Sequence, residues 1–415
     1  MMQTNRKALG QYMTPSVVAN LVAGHISSTA TAVIDLAAGD CSLLYAAQRR
    51  RPAAKLFGYE IDAVMHRKAQ HRLPSAKISL ANGLTGRLHC ELSEQNEIAV
   101  IGNPPYAEIS PTELTRSVLL KAFPRLATKL GARRAEMYFL ARSLLIAKAT
   151  RGTVAILMPI SFADGDIYIQ YRAELMHNYG VRKAIEIPGN AFSATEARTV
   201  LLIIDTSDSE TSEVEIGRFS IETEKVEQIH KGILHPGQRL DARHYDGRSE
   251  FDAPSLKLED VGVTITRGQY SHKEARTLSL GAIHTSDLAR VTDGRMSLDV
   301  DKTKRNNTAK LLDDSIAQAG DILLPRTGTR VSWSPVIVAS GSAPITDHVF
   351  RIRAPSASLE MVKKAFMHPS FATWLRCTAK GVCATVLTKR ELLTMPLFSE
   401  QCAAIVAPNQ VVTTS

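Results

Sequence analysis

Seven short apolar runs punctuate the first half of the chain, at residues 32–36, 55–60, 77–80, 98–101, 153–158, 183–187 and 200–205. Their length and their Val, Ile and Leu content predict buried strands. Helix-period segments lie between several of them. The clearest spans 135–149, where Met137, Leu140, Ala141, Leu144, Leu145 and Lys148 recur at three- and four-residue steps. Strands separated by helices predict an α/β domain, a Rossmann-like, mainly parallel sheet with helices on both faces. In such sheets ligands bind outside the carboxyl ends of the strands.

The texture changes near residue 206. A polar, acidic segment (Asp208, Glu210, Glu213, Glu215, Glu222, Glu224, Glu227) leads into His235-Pro236-Gly237. A boundary is expected between about 225 and 250, giving domains 1–235 and 236–415. The second half has shorter strand-like pieces at 322–324, 336–339 and 348–352, set among turns and a few helices. It reads as a smaller α+β module. A length of 415 residues agrees with two domains.

The strand 98–101 ends unusually: Gly102 is followed by Asn103-Pro104-Pro105-Tyr106. Two prolines remove backbone donors and fix the path out of the sheet. Asn103 supplies a side-chain acceptor, Pro104 a carbonyl without a competing N–H, and Tyr106 a flat apolar face. The set suits a planar heteroaromatic amine, such as the exocyclic amino group of a nucleobase. The alternative is a strand followed by a plain Pro-Pro turn.

A second constellation lies upstream. Val33-Ile34-Asp35-Leu36-Ala37-Ala38-Gly39-Asp40 reads as a strand running into a small-residue turn and then a helix beginning near Ser42. Small residues let a turn approach a ligand closely, and Asp35 offers an acid for a cationic group. The loop is neither G-x-G-x-x-G nor a Walker A sequence, which disfavours a pyrophosphate ligand. Glu60 ends the next strand, where a carboxylate commonly chelates ribose hydroxyls.

Charge adds a partner class. The formal net charge is +9. Between residues 115 and 151 nine basic side chains face one acid, Glu136, and between 351 and 391 eight face Glu360 and Glu391. Two basic regions suggest a cleft for a polyanion, against the alternative of solvated helix faces. No apolar stretch is long enough to span a bilayer, so no membrane contact and a cytoplasmic location are expected. The five scattered cysteines form no C-x-x-C pair, and no metal site is expected.

Together, Gly10-Gln11-Tyr12-Met13-Thr14-Pro15, the 35–39 turn, Glu60-Ile61-Asp62 and Asn103 to Tyr106 resemble the gamma-class, TaqI-like N6-adenine DNA methyltransferases over roughly residues 8–205. The segment Gly320 to Thr329 looks like part of a recognition domain of modification enzymes. The resemblance implies a site-specific DNA methyltransferase that carries a methyl group from S-adenosylmethionine to N6 of an extruded adenine in double-stranded DNA. It implies cofactor contacts at Thr14, Asp35, Ala37, Gly39, Glu60 and Asn82, the last standing where many members carry an acid. It further implies catalytic roles for Asn103, Pro104 and Tyr106, with Phe192 as a second base-contacting ring. Arg326, Thr327 and Arg330 are the expected DNA contacts. A monomer on DNA and a separate restriction endonuclease partner fit this picture, since no E-x-K triplet of a nuclease site occurs in the chain. Rival acceptors are RNA, N4 of cytosine or a protein glutamine amide, and the rival class is an inert DNA-binding modification subunit.

Overall fold

Each of the seven apolar runs of the first half forms a strand in the computed structural model, which describes residues 13–126, 133–192, 197–207, 213–251, 255–298, 313–328, 333–381 and 385–398. They are β1 (Ala32–Asp35), β2 (Lys55–Glu60), β3 (Lys77–Leu80), β4 (Ile98–Gly102), β5 (Thr153–Pro159), β6 (Gly180–Ile187) and β7 (Thr199–Asp205). Helices α1 (Ser16–Gly24), α2 (Ser42–Arg50), α3 (Ala63–Arg72), α4 (Glu113–Ala122) and α5 (Ala135–Lys148) alternate with them. The chain divides into two compact units, Met1–Ala242 and Arg243–Ser415.

The first unit is built on a nine-stranded sheet in the order β3-β2-β1-β4-β5-β7-β6-β8-β9. β1 to β5 pair in parallel, whereas β7 inserts antiparallel between β5 and β6. The order reverses at β1 and β4, so the crevice of this Rossmann-like sheet opens beyond their carboxyl ends. β1 and β4 are buried at every position, as strands covered on both faces require.

Two strands had no counterpart in the sequence reading. β8 (Val214–Ser220) and β9 (Lys225–Gly232) form an antiparallel pair that extends the sheet through the acidic segment. Val214, Ile216 and Phe219 turn inward while Glu215 and Arg218 face out. β9 is the edge strand and carries mainly exposed polar side chains, which discourage pairing with another chain. Residues 236–242, expected in the second half, belong to the first unit. Arg172, 1% exposed, binds them there by donating to the carbonyls of Gly237 and Gln238 as well as Phe162 and Gly165.

The second unit is α+β. Its five-stranded sheet runs Thr264–Arg267, Val349–Arg353, Ile322–Pro325, Val336–Ser340, Arg295–Ser297. Two amphipathic helices, Leu359–Met367 and Ser370–Thr378, contribute Val362, Phe366, Phe371 and Trp374 to a core shared with Ile322, Leu324 and Phe350.

Candidate active site

Register brings the sequence motifs to one edge of the first sheet. Asp35 pairs with Ile101 of β4 and Gly58 of β2, and Glu60 pairs with Leu80 of β3. The residues just beyond these strand ends are the 37–39 turn, Asn82 and Asn103. Thr14, Asp35, Ala37, Gly39, Glu60, Asn82 and Asn103 all line one open cavity. All six expected cofactor residues are therefore neighbours, together with the start of the Asn-Pro-Pro-Tyr segment. The Gly10-Gln11-Tyr12 part of the upstream string and Arg330 lie outside the described residues.

The turn spends its amide protons on carboxylates. Asp35 Oδ1 accepts from Ala37 N–H at 2.9 Å, and Glu60 Oε2 accepts from Gly39 N–H at 2.8 Å. Glu60 Oε1 takes Asp62 N–H at 2.7 Å. Gly39 holds φ +56°, a left-handed conformation in which a side chain would be strained. Gly83 is needed for close approach, because a Cβ there would stand 1.7 Å from the Leu36 carbonyl oxygen. With amides engaged and Asp35, Asp40 and Glu60 on the wall, the cavity repels a phosphate. No basic side chain lines it among the described residues. It suits a cation that carries hydroxyls.

Asp35 shows this most sharply. The residue is 1% exposed and its Oδ2 has no hydrogen-bond partner. Burial raises its pKa to about 7, with the Ala37 N–H opposing and the Glu60 charge adding to the rise. An uncompensated buried carboxyl is costly unless a cation or donor meets it. Glu60 is also raised, again by burial, although its backbone hydrogen bonds pull the other way.

Asn103 Nδ2 donates to Thr14 Oγ1 at 3.1 Å, so the segment before α1 sets the orientation of the amide that ends β4. Pro104 is buried, and Pro105 lines the cavity. Tyr106 is half-buried, its hydroxyl is enclosed without a partner, and burial holds its pKa well above the ordinary value. Asn82 is exposed, and its Oδ1 already accepts from Leu84 N–H at 2.9 Å. An incoming donor must share that oxygen.

Phe192 stands apart from this group. It is 5% exposed and packs in the core with Ile185, Ile187, Leu201 and Phe219. A turn at Gly189–Ala191 after β6 tucks the ring under the sheet, so it does not line the cavity. Conversely, Met13, Tyr59 and Phe139 line the cavity without having been singled out by sequence.

In the second unit, residues 320–325 of the Gly320 to Thr329 segment are chiefly structural, and Thr329 lies outside the described residues. Ile322–Pro325 is a fully buried strand, and Asp321, 2% exposed, binds Arg353 through two contacts of 2.7 Å. Arg326 and Thr327 follow directly. Thr327 Oγ1 lies 2.9 Å from His348 Nδ1, while Arg326 Nε is buried without a partner. Much of the second basic stretch is engaged internally. Arg351 binds the carbonyls of Asp313 and Ile316, and Lys363 and Lys380 pair with Glu360 and Glu391. The first stretch is freer, with Arg116, Lys121, Arg133 and Arg151 exposed, though Arg134 pairs with Glu136 and Arg142 donates to the Gly86 carbonyl.

Comparisons with known proteins agree with this architecture. No curated protein matches the sequence. A type I restriction-modification methyltransferase subunit from Streptococcus thermophilus is similar at 21% identity over 52% of this chain and 50% of its own, with a TM-score of 0.44. The type IIL restriction-modification enzyme MmeI, solved in complex with DNA, is similar at 12% identity over 91% of this chain and 63% of its own, with a TM-score of 0.51. At 12% identity the likeness to MmeI is one of fold. The chain spans between half and under two-thirds of these structures. The family model for N-6 DNA methylases matches residues 1–234, more than half of the sequence, and the chain belongs to that family.

Proposed function

We propose that the chain is a site-specific DNA methyltransferase that uses S-adenosylmethionine to methylate N6 of an extruded adenine, within a restriction-modification or related defence system. The observation that carries this reading is one acid-lined cavity containing both the orphaned Asp35 Oδ2 and Asn103. The fit to the cofactor follows from the donor set. Asp35 answers the cationic amine, Glu60 has lone pairs left for ribose hydroxyls, and Met13, Ile61 and Phe139 supply apolar wall for a purine. Asn82 meets the purine edge through whatever capacity its oxygen retains. When bound, the cofactor supplies a methyl group on a sulfonium, which is already a good leaving group.

The chain's own contribution is alignment. A paired, stacked adenine has to leave the duplex, at a cost of a few kcal/mol. Tyr106 offers its ring to the extruded base, and such stacking contributes ~1–3 kcal/mol. Asn103 Oδ1 and the Pro104 carbonyl accept the two amino hydrogens, which turns the nitrogen lone pair toward the methyl donor and stabilises the positive charge that builds there. No strong base is required. The second unit serves as the target-recognition domain, with Arg326, Thr327 and Arg330 as DNA contacts. A separate nuclease partner and a monomeric enzyme on DNA belong to the same reading.

The test is transfer of labelled methyl from S-adenosylmethionine to duplex DNA in competition with RNA. Label in N6-methyladenine of DNA, lost in Asn103→Ala, is the expected result. Label in RNA, in N4-methylcytosine or in a protein glutamine amide would move the reading to that acceptor. Failure to bind the cofactor at all would make the chain an inert subunit.

A further inference from the structure

Resting on the reading of Tyr106 as the platform for the extruded base, the structure assigns a role to Glu136 that the sequence patterns did not. We propose that Glu136 is a positioning residue, which accepts the Tyr106 hydroxyl through one buried water and so fixes the angle of the ring.

Two elements are built together here. Ala135 N–H donates to the Ala107 carbonyl at 2.9 Å and Ile109 N–H to the Arg133 carbonyl at 2.8 Å, while Glu108 and Arg134 form an isolated antiparallel bridge. This short ladder ties the exit from the Pro-Pro segment to the first residues of α5. Tyr106 thus precedes one rail of the ladder, and Glu136 follows the other. Glu136 is 0% exposed. Its Oε1 is held by Arg134 Nε at 3.0 Å, which orients the carboxyl group, and its Oε2 is buried without a partner. The Tyr106 hydroxyl is likewise enclosed and unpartnered; Tyr106 lies two residues before the bridged Glu108 as Glu136 lies two after the bridged Arg134, and the Glu136 charge acts on that hydroxyl. Leaving a buried donor and a buried acceptor unmet costs free energy at both. One water that accepts from the hydroxyl and donates to the carboxylate answers both.

The consequence reaches the reaction because the ring is anchored at its hydroxyl end while the residue stays only half-buried. One helix then governs both halves of the site, with Glu136 behind the base platform and Phe139, three residues on, in the cavity wall. A tyrosine at position 106 is more than a flat surface, since phenylalanine would stack but lose the anchor.

The experiment has a readout that needs no DNA. Unfolding equilibria of the full chain are compared for wild type, Tyr106→Phe, Glu136→Ala and the double variant, with Tyr168→Phe as a control for the other tyrosine near Glu136. Anchoring predicts that Tyr106→Phe and Glu136→Ala are coupled by about fivefold in the unfolding constant, the size of one net hydrogen bond. Additive effects would overturn the proposal whatever the protein acts on. The second readout is methyl transfer to the duplex that wild type modifies. Glu136→Ala is expected to lower kcat about tenfold with unchanged cofactor affinity, and Glu136→Gln to restore most of it. Coupling in stability with no methyl transfer by wild type would leave the anchor standing and remove the functional reading instead. Equal kcat in wild type and Glu136→Ala would reject the positioning role.

Discussion

The strand ends of the first unit and the 320–353 region of the second both carry buried acids, and the two differ in what those acids lack. Asp321 has its cation built in, gripping Arg353 by both oxygens. Asp35 is buried equally well and keeps an oxygen with no partner. A satisfied buried pair is a structural feature, whose loss is felt in folding. An unsatisfied buried carboxyl facing a cavity is a binding feature, whose partner comes from outside. The same contrast separates the basic stretches, where Arg351 and Arg353 are consumed by their own unit and Arg116 and Lys121 are left at the surface.

Four substitutions test the distinction, from the largest effect to the smallest. Asn103→Ala removes an acceptor aimed at the amine and is expected to lower kcat by about 10²–10³-fold, leaving stability and cofactor affinity near wild type. Stopped or steady-state methyl transfer at saturating cofactor measures it. A comparable loss of cofactor binding would mean that Asn103 serves the cavity and not the acceptor.

Asp35→Asn is expected to weaken cofactor binding by about 30- to 100-fold at pH 8, the lower range for loss of one partner of a buried charged pair. The wild-type pH dependence has a definite sign. With its pKa near 7 in the free protein, Asp35 must shed a proton to meet a cationic amine. Affinity therefore falls as pH drops, by about tenfold from pH 8 to pH 6, and Asp35→Asn abolishes the trend. Folding of the unliganded protein runs oppositely. The folded carboxyl holds its proton more tightly than the unfolded one, so this group's contribution to stability declines as pH rises from about 4 to 7. Calorimetric titration across this range measures the first effect, and denaturant unfolding the second.

Arg353→Ala is expected to cost about 2 kcal/mol of folding stability, reduced from the value for a fully buried pair because Arg353 is partly exposed. Methyl transfer below the new melting temperature is expected to remain within threefold. Asn82→Asp is expected to improve cofactor affinity by about fivefold, because one carboxylate oxygen can keep Leu84 N–H while the other takes a charge-assisted bond. No gain would place the purine edge elsewhere.

The sequence made the first unit's seven leading strands legible because each is short and rich in apolar residues, several of them (β1, β4, β5, β7) nearly continuous, and because Asp35, Glu60 and Asn103 stand at strand ends. β8 and β9 escaped because alternation is masked by acids on their outer faces, and an edge strand needs no apolar run. The cavity wall was only partly legible. Phe139 and Met13 reach it from a helix and from the approach to α1, where position depends on packing rather than on a local pattern. Phe192 shows the reverse, an aromatic in a suggestive string whose backbone turn carries it into the core. Charge counted along the chain overstated the second basic stretch, since pairing with Glu360, Glu391, Asp314 and Asp321 appears only when the strands and helices are assembled.

Whether the acid-lined cavity and the Asn103 clamp form one adenine-methylating site is decided by modified-base sequencing of DNA from a methylation-free host expressing the chain. N6-methyladenine at a single recurring sequence, absent with Asn103→Ala and with Asp35→Asn, is the expected result. Unmodified DNA from a host containing folded, cofactor-binding protein, or modification that persists in Asn103→Ala, would contradict it.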